Sequence, residues 1–185
     1  MIRSMQTISP TKMELLFDLE STGLLRQGSR IHCLVMRGAD DSDPIVFDHR
    51  PDQTIIQGVK QLEQADVLIG HNIIGYDIPL IQEQYPDFAP KGHVIDTLVL
   101  SRLFYPHILD RDYERRPQGM PQKLYGRHSL EAWGYRLRCF KGDFGKSDNN
   151  DWSVYTPEML DYCIQDTEVT LKLYQLMQRR MQDYA

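Results

Sequence analysis

Hydrophobic and polar positions along this chain change rhythm from one stretch to the next, and the rhythm marks the elements. Leu15, Leu16, Phe17 and Leu19 form a short apolar run that reads as a buried strand over residues 13–19. Arg30 to Met36 and Pro44 to Phe47 read as two more strands, separated by the turn-rich Gly38-Ala-Asp-Asp-Ser-Asp. Ile55, Ile56, Val59 and Leu62 recur at helical spacing, which predicts a helix over 53–65, and Val67 to Gly70 follows as a fourth strand. A helix through Leu80 and Ile81, a short strand at Val94-Ile95 and a helix over Thr97–Phe104 come next. Residues 105–127, rich in Pro and Arg, read as irregular, and a loop of that length tends to be functional. A helix over Ser129–Leu137 and an irregular stretch from Lys141 to Tyr155 precede the last helix. That helix opens with Thr156 as N-cap and Pro157 at its first position, and runs to about Met181.

Strands first, then alternating helix and strand, predict a single α/β domain over 1–185, with 1–12 as a flexible N-terminus. Its expected architecture is a mixed sheet of about five strands with helices on both faces. With 41% hydrophobic and 25% charged residues the chain reads as soluble and globular. No run approaches the ~18 apolar residues of a membrane helix. Cys33, Cys139 and Cys163 are too widely spaced for a disulfide framework or a thiolate metal site, which points to a reduced, cytoplasmic protein.

The net charge of −5 is unevenly spread. From Arg102 to Lys146 ten Lys/Arg face five Asp/Glu, a local surplus of five positive charges that leaves −10 on the rest. An acidic body with one basic segment suits a protein that grips a phosphate chain locally. Arg115, Arg116, Lys123 and Arg127 could follow such a backbone, although a charge run also describes a solvated loop.

The candidate chemistry lies in the carboxylates. Asp18 and Glu20 sit two apart on a strand and project to the same face. Asp77 follows a strand and a Gly-containing turn, which sets it at a strand's carboxyl end, where α/β sites form. Tyr162 and Asp166 are four apart on the last helix and share a face. Taken singly, each has an ordinary reading: a strand end in solvent, a helix cap ahead of Pro79, a half-buried tyrosine beside a solvated acid. Together they supply the several oxygen ligands that a hard divalent cation requires.

Phe17-Asp18-Leu19-Glu20-Ser21-Thr22, His71-Asn72-x-x-x-Tyr76-Asp77 and Tyr162-x-x-x-Asp166 resemble the three motifs of the DEDD 3′–5′ exonucleases. Tyr162 marks the tyrosine subclass, since the histidine subclass would carry His where this chain has Asp161. Ile95-Asp96-Thr97, the segment His128–Leu137 and the segment Met159–Asp166 extend the resemblance to the proofreading domain of podophage family A DNA polymerases, without the polymerase portion. The resemblance implies a ribonuclease H-like fold and two divalent cations, Mg²⁺ or Mn²⁺, held by Asp18, Glu20, Asp77 and Asp166. Tyr162 would aim the attacking water, and 5′-mononucleotides would leave from single-stranded or frayed DNA 3′ ends. It also implies substrate contacts from Ser21, Thr22, Leu24, Asn72 and Tyr76. His71 and His128 read as structural or capping groups, and Trp133 and Tyr135 as core. A separate DNA polymerase is the expected partner, no membrane is involved, and a phage-encoded chain would work in the host-cell cytoplasm. The readings left open are a module that holds a 3′ end without cutting it, and an exonuclease that trims RNA.

Overall fold

The computed structural model describes residues 12–23, 28–139 and 151–183. Five strands, β1 (Glu14–Ser21), β2 (Ile31–Gly38), β3 (Ile45–Phe47), β4 (Val67–Gly70) and β5 (His93–Asp96), form one sheet in the order β3-β2-β1-β4-β5. β2 runs antiparallel to β1 and β3, whereas β4 and β5 run parallel to β1. The expected mixed α/β architecture is borne out, with helices on both faces of the sheet.

Alternation along β1 divides those faces. Phe17 and Leu19 point to one side and join Leu34, Met36 and Leu68 in the main core. This side is closed by α1 (Ile55–Gln64), through Ile55, Val59 and Leu62, and by α2 (Asp77–Gln84), through Leu80 and Ile81. α1 starts in a capping box, the Thr54 side chain and Gln57 each satisfying a backbone N–H of the other's residue. Ile56, counted with the apolar stripe of this helix, turns outward and is 39% exposed.

The other face carries Leu16, Asp18 and Glu20 of β1 and is covered by α6 (Pro157–Gln182), a helix of 26 residues. Leu171 and Tyr174 of α6 pack on Leu16, Val67 and Ile69, and Cys163 packs on Cys33 and Val35. As the sequence implies, Thr156 caps α6, accepting from the Met159 N–H at 3.2 Å, with Pro157 first in the helix. On its outer side α6 buries Val169, Leu173 and Met177 against α3 (Thr97–Phe104), α4 (Ile108–Arg115) and α5 (Leu130–Leu137), with Tyr105, Ile108 and Trp133 at the centre. α6 is thus held from both sides, which fixes whatever it presents to the sheet. Among the described residues no helix is long and apolar enough to cross a membrane.

The structure corrects one expectation. The stretch 105–127 is not irregular throughout: it contains α4 and a 3-10 turn at Gln122–Leu124. The inward face of α4 consists of Ile108 and, one turn on, Asp112, so a charge stands where a second apolar residue would have revealed the period. Asp112 is 2% exposed and accepts two bonds from the Arg136 guanidinium, at 2.8 and 2.7 Å, and one from the Gly126 N–H at 2.9 Å. Arg136 and the Gly126 N–H hold its carboxyl below the usual carboxylate range despite the burial. Removing one member of a buried, bidentate pair strands the other. Asp112→Ala is expected to cost about 3–5 kcal/mol in urea unfolding. Asp41→Ala, which breaks the surface pair with Arg37 at 3.9 Å, is expected to cost at most about 1 kcal/mol. Equal losses in the two variants would contradict this account.

Candidate active site

Asp18 and Glu20 lie opposite Val35 and Cys33 in the β1–β2 ladder, and both look toward α6. A register break between Glu20 and Ser21 ends the regular pairing just beyond them. From α6, Tyr162, Cys163 and Asp166 come to meet these acids. The Cys163 thiol donates to Asp18 Oδ2 at 3.5 Å, and one ligand atom each from Asp18, Glu20 and Cys163 fall within 4.8 Å of one another.

Asp77 enters from the far side of β1. The β1–β4 pairing stops at Leu16 and Ile69, and β4 ends at Gly70. A Cβ on Gly70 would lie 2.2 Å from Ile73 Cγ2 and 3.0 Å from the Phe17 carbonyl oxygen, so only glycine lets the chain turn this close to β1. The loop then passes through Asn72 at φ 65° and delivers Asp77 as the first residue of α2. There the Asp77 carboxylate accepts from its own N–H and from that of Leu19, which ties α2 to β1.

Asp18, Glu20, Asp77, Asp166 and Tyr162 therefore line one open cavity of about 400 Å³, together with Ser21, Asn72 and Tyr76. Ser21 Oγ and the Tyr76 hydroxyl lie 2.6 Å apart, and both reach the Gly23 carbonyl. Thr22 is not on the cavity wall: its hydroxyl accepts from the Arg30 N–H at 3.0 Å and pins the end of β1 to the approach to β2. Leu24 lies outside the described residues.

The electrostatics of the cavity are one-sided. Among the described residues its lining has four carboxylates and no Lys or Arg. His71, the one imidazole, is pushed down by burial to about 4 and stays neutral; its Nδ1 pairs with Thr97 Oγ1 at 3.0 Å. Burial raises Asp18 well above the carboxylate range, and Asp77, Asp166 and Glu20 raise it further. Glu20 is raised by burial and then by Asp166. Burial lifts Asp77 and Asp166 to about 7, the first held back by its backbone donors and the second by a hydrogen bond from Tyr162. Burial and the same acids push the Tyr162 phenol upward, so it remains a neutral donor. A cluster of like charges with no internal counter-charge fits hard divalent cations, which bind oxygen and cancel the repulsion.

Three contributors went unassigned in the sequence. Asp96, buried at the end of β5, accepts from the N–H groups of Asn72, Ile74 and Leu98 at 2.9, 3.1 and 2.9 Å, so it caps α3 and holds the loop that aims Asp77. Its signal was an acid closing a strand just ahead of Thr97. Cys163 is a thiol inside the carboxylate cluster, a position that no spacing rule marks. Trp152 lines the cavity from the irregular segment before α6, and the His32 Nε2–H bonded to its carbonyl at 2.9 Å anchors it. His128 sits apart from the acids, with Nδ1 3.0 Å from Ser101 Oγ, and Trp133 is core.

This architecture is that of the ribonuclease H-like exonucleases. NrnC of Brucella melitensis with bound Mg²⁺ superimposes with a TM-score of 0.63 at 17% identity, over 94% of this chain and 75% of that one. The Nibbler exonuclease domain of Aedes aegypti gives 0.61 at 13% identity, over 94% and 81%. In sequence the chain is homologous to phage DNA polymerases. It is 30% identical over 182 residues to the DNA-directed DNA polymerase of Enterobacteria phage T3, covering 86% of this chain and 26% of that protein. The polymerase of Escherichia phage T7 is 29% identical over 177 residues, covering 84% and 25%, so the chain spans about a quarter of the length of these relatives. No protein-family profile matches the chain.

Raised carboxylates set the sign of a pH effect. Between an unfolded value near 4 and a folded value of about 7, the folded state of the metal-free protein holds protons that the unfolded chain has shed. Stability therefore falls as pH rises through about 7. The opposing contribution of His71 and His128, both held below the imidazole range by burial, fades as pH passes about 7.5, where the unfolded histidines are neutral too. In EDTA the melting temperature is expected to drop from about pH 6.5 to about pH 8. Mn²⁺ should raise it more at the higher pH, and Asp166→Asn should flatten both effects. A melting temperature in EDTA that climbs over this interval, and climbs equally in Asp166→Asn, would refute the electrostatic reading.

Proposed function

We propose that this chain is a metal-dependent 3′–5′ exonuclease of the DEDD tyrosine type that removes 5′-mononucleotides from single-stranded or frayed DNA ends. The observation that carries this is the meeting of Asp18, Glu20, Asp77, Asp166 and Tyr162 in one cavity, from β1, α2 and α6. Homology to phage DNA polymerases supports DNA as substrate and proofreading beside a polymerase, in the host-cell cytoplasm, as the setting.

Asp18, Glu20 and Asp166 are the residues to hold one divalent cation, and Asp18 with Asp77 a second. Such cations, when bound, supply Lewis acidity at the attacking and departing oxygens of the phosphodiester. Tyr162, neutral at any working pH, donates to Asp166 and orients the attacking water toward the phosphorus without removing its proton. The Ser21–Tyr76–Gly23 cluster forms a rigid wall for the terminal nucleoside, and Asn72 stands at the rim beside it.

Asp18→Ala is expected to reduce mononucleotide release from a 3′-labelled oligonucleotide to the level of an EDTA control. Tyr162→Phe should bind Mn²⁺ normally but lower kcat by roughly 10²-fold, as loss of a positioning contact does. Undiminished digestion by Asp18→Ala would sink the assignment. RNA is the second reading, since the fold is shared with Escherichia coli RNase D, described as an exoribonuclease, at a TM-score of 0.50 and 14% identity over 91% of this chain and 45% of that one. Initial rates on DNA and RNA oligonucleotides of one sequence separate the two, with the DNA rate expected to be higher.

A further inference from the structure

The basic segment of the sequence acquires a shape in the fold. Between α4, α5 and the end of α6 lies a second cavity of about 630 Å³, which shares no lining residue with the first. Seven arginines and two aspartates line it. Two of the arginines are matched, Arg136 with Asp112 at 2.7 Å and Arg180 with Asp183 at 3.8 Å. Arg111, Arg115, Arg116, Arg138 and Arg179 make no ion pair among the described residues. This gathers five arginines with no acidic partner among the described residues on a chain whose net charge is −5.

One further feature distinguishes the cavity from a solvated charge run. Its guanidinium groups are ordered on aromatic rings, Arg111 at 4.9 Å and Arg180 at 5.5 Å from the Tyr105 centroid and Arg136 at 5.0 Å from that of Trp133. Arginine forks recognise phosphate oxygens bidentately, and the volume suits one or two nucleotides.

We infer that this cavity is a second binding site for a nucleoside phosphate, separate from the catalytic cavity. Thirteen residues of α6 separate Asp166 from Arg179, about 20 Å along the helix axis. At a stacked rise of ~3.4 Å per nucleotide that distance is roughly six nucleotides. The ligand is then a nucleotide of the strand upstream of the end being trimmed, or a free nucleotide of the same chemistry. The strand source rests on the function proposed above.

The test uses the full chain carrying Asp18→Ala, which holds nucleic acid without cutting it, with and without Arg115→Ala and Arg179→Ala. Neither arginine has an ion-pair partner among the described residues, and an unchanged melting temperature verifies the fold. Fluorescence anisotropy measures binding of labelled strands of about three and about twelve nucleotides. The arginine changes are expected to weaken the longer strand tenfold or more, to leave the shorter one unchanged, and to lower the salt dependence by about 1.4 in log–log slope. If dAMP binding is lost in the arginine variant while the longer strand is unaffected, the ligand is the free nucleotide. Equal binding of both strands and of dAMP with and without the arginines overturns the inference, whatever the intact chain does to a 3′ end. Arginine-dependent binding by an intact chain that releases no mononucleotides would sink the nuclease reading and leave this site standing.

Discussion

Four carboxylates share one cavity with no Lys or Arg among its described lining residues to balance them, and the surrounding architecture is arranged to make them stay. Each is lifted from its ordinary range by burial, and Asp18 and Glu20 further by the neighbouring acids, so the unliganded cluster works against folding. The acids are held because each belongs to an element anchored elsewhere. Asp18 and Glu20 ride on the central strand, whose opposite face carries Phe17 and Leu19 into the main core. Asp166 rides on a helix gripped by the sheet on one side and by Trp133 and Tyr105 on the other. Asp77 is drawn in by the Leu19 N–H, and the loop before it is laced to Asp96. Strain concentrated in the site is balanced by apolar packing outside it, the usual division between a reactive cluster and its scaffold.

This division explains which parts of the molecule could be read from the sequence. The strands, α1, α5 and α6 announced themselves because their inner faces are largely apolar and keep a period of 2 or 3.6. The site acids were legible for a related reason: a charged residue inside an apolar strand, or four from a tyrosine on a helix, breaks the pattern of its own element. Asp112 concealed α4 because its partner, Arg136, is 24 positions away, and no local window can distinguish a buried, paired aspartate from a solvated one. Asp96 escaped for the same reason, since its partners are backbone N–H groups of a loop more than twenty residues earlier. Thr22 shows the converse. Its place in a motif suggested a contact with substrate; the structure adds that its hydroxyl accepts from the Arg30 N–H, a bond that only the β1–β2 geometry reveals.

The function proposed above, built around such acids, meets an electrostatic difficulty of its own. The carboxylates that collect divalent cations repel the phosphates of the strand to be cut, and the −5 net charge of the chain adds to that repulsion at long range. Cations at the cluster reverse the sign only locally, because screening limits their reach to about 8–10 Å in physiological salt. Attraction for the rest of a strand must come from protein charge placed beyond that range. α6 spans the requirement within one rigid element: Tyr162 and Asp166 lie near its N-terminal end, and Arg179 and Arg180 in its last turn, where the helix dipole also favours cations. With the arginines of α4 and α5 gathered around that last turn, acid and base sit at opposite ends of one helix, about 20 Å apart. At that separation the two fields barely cancel, so the cluster can remain acidic enough to hold metal while the distant end remains basic enough to hold phosphate.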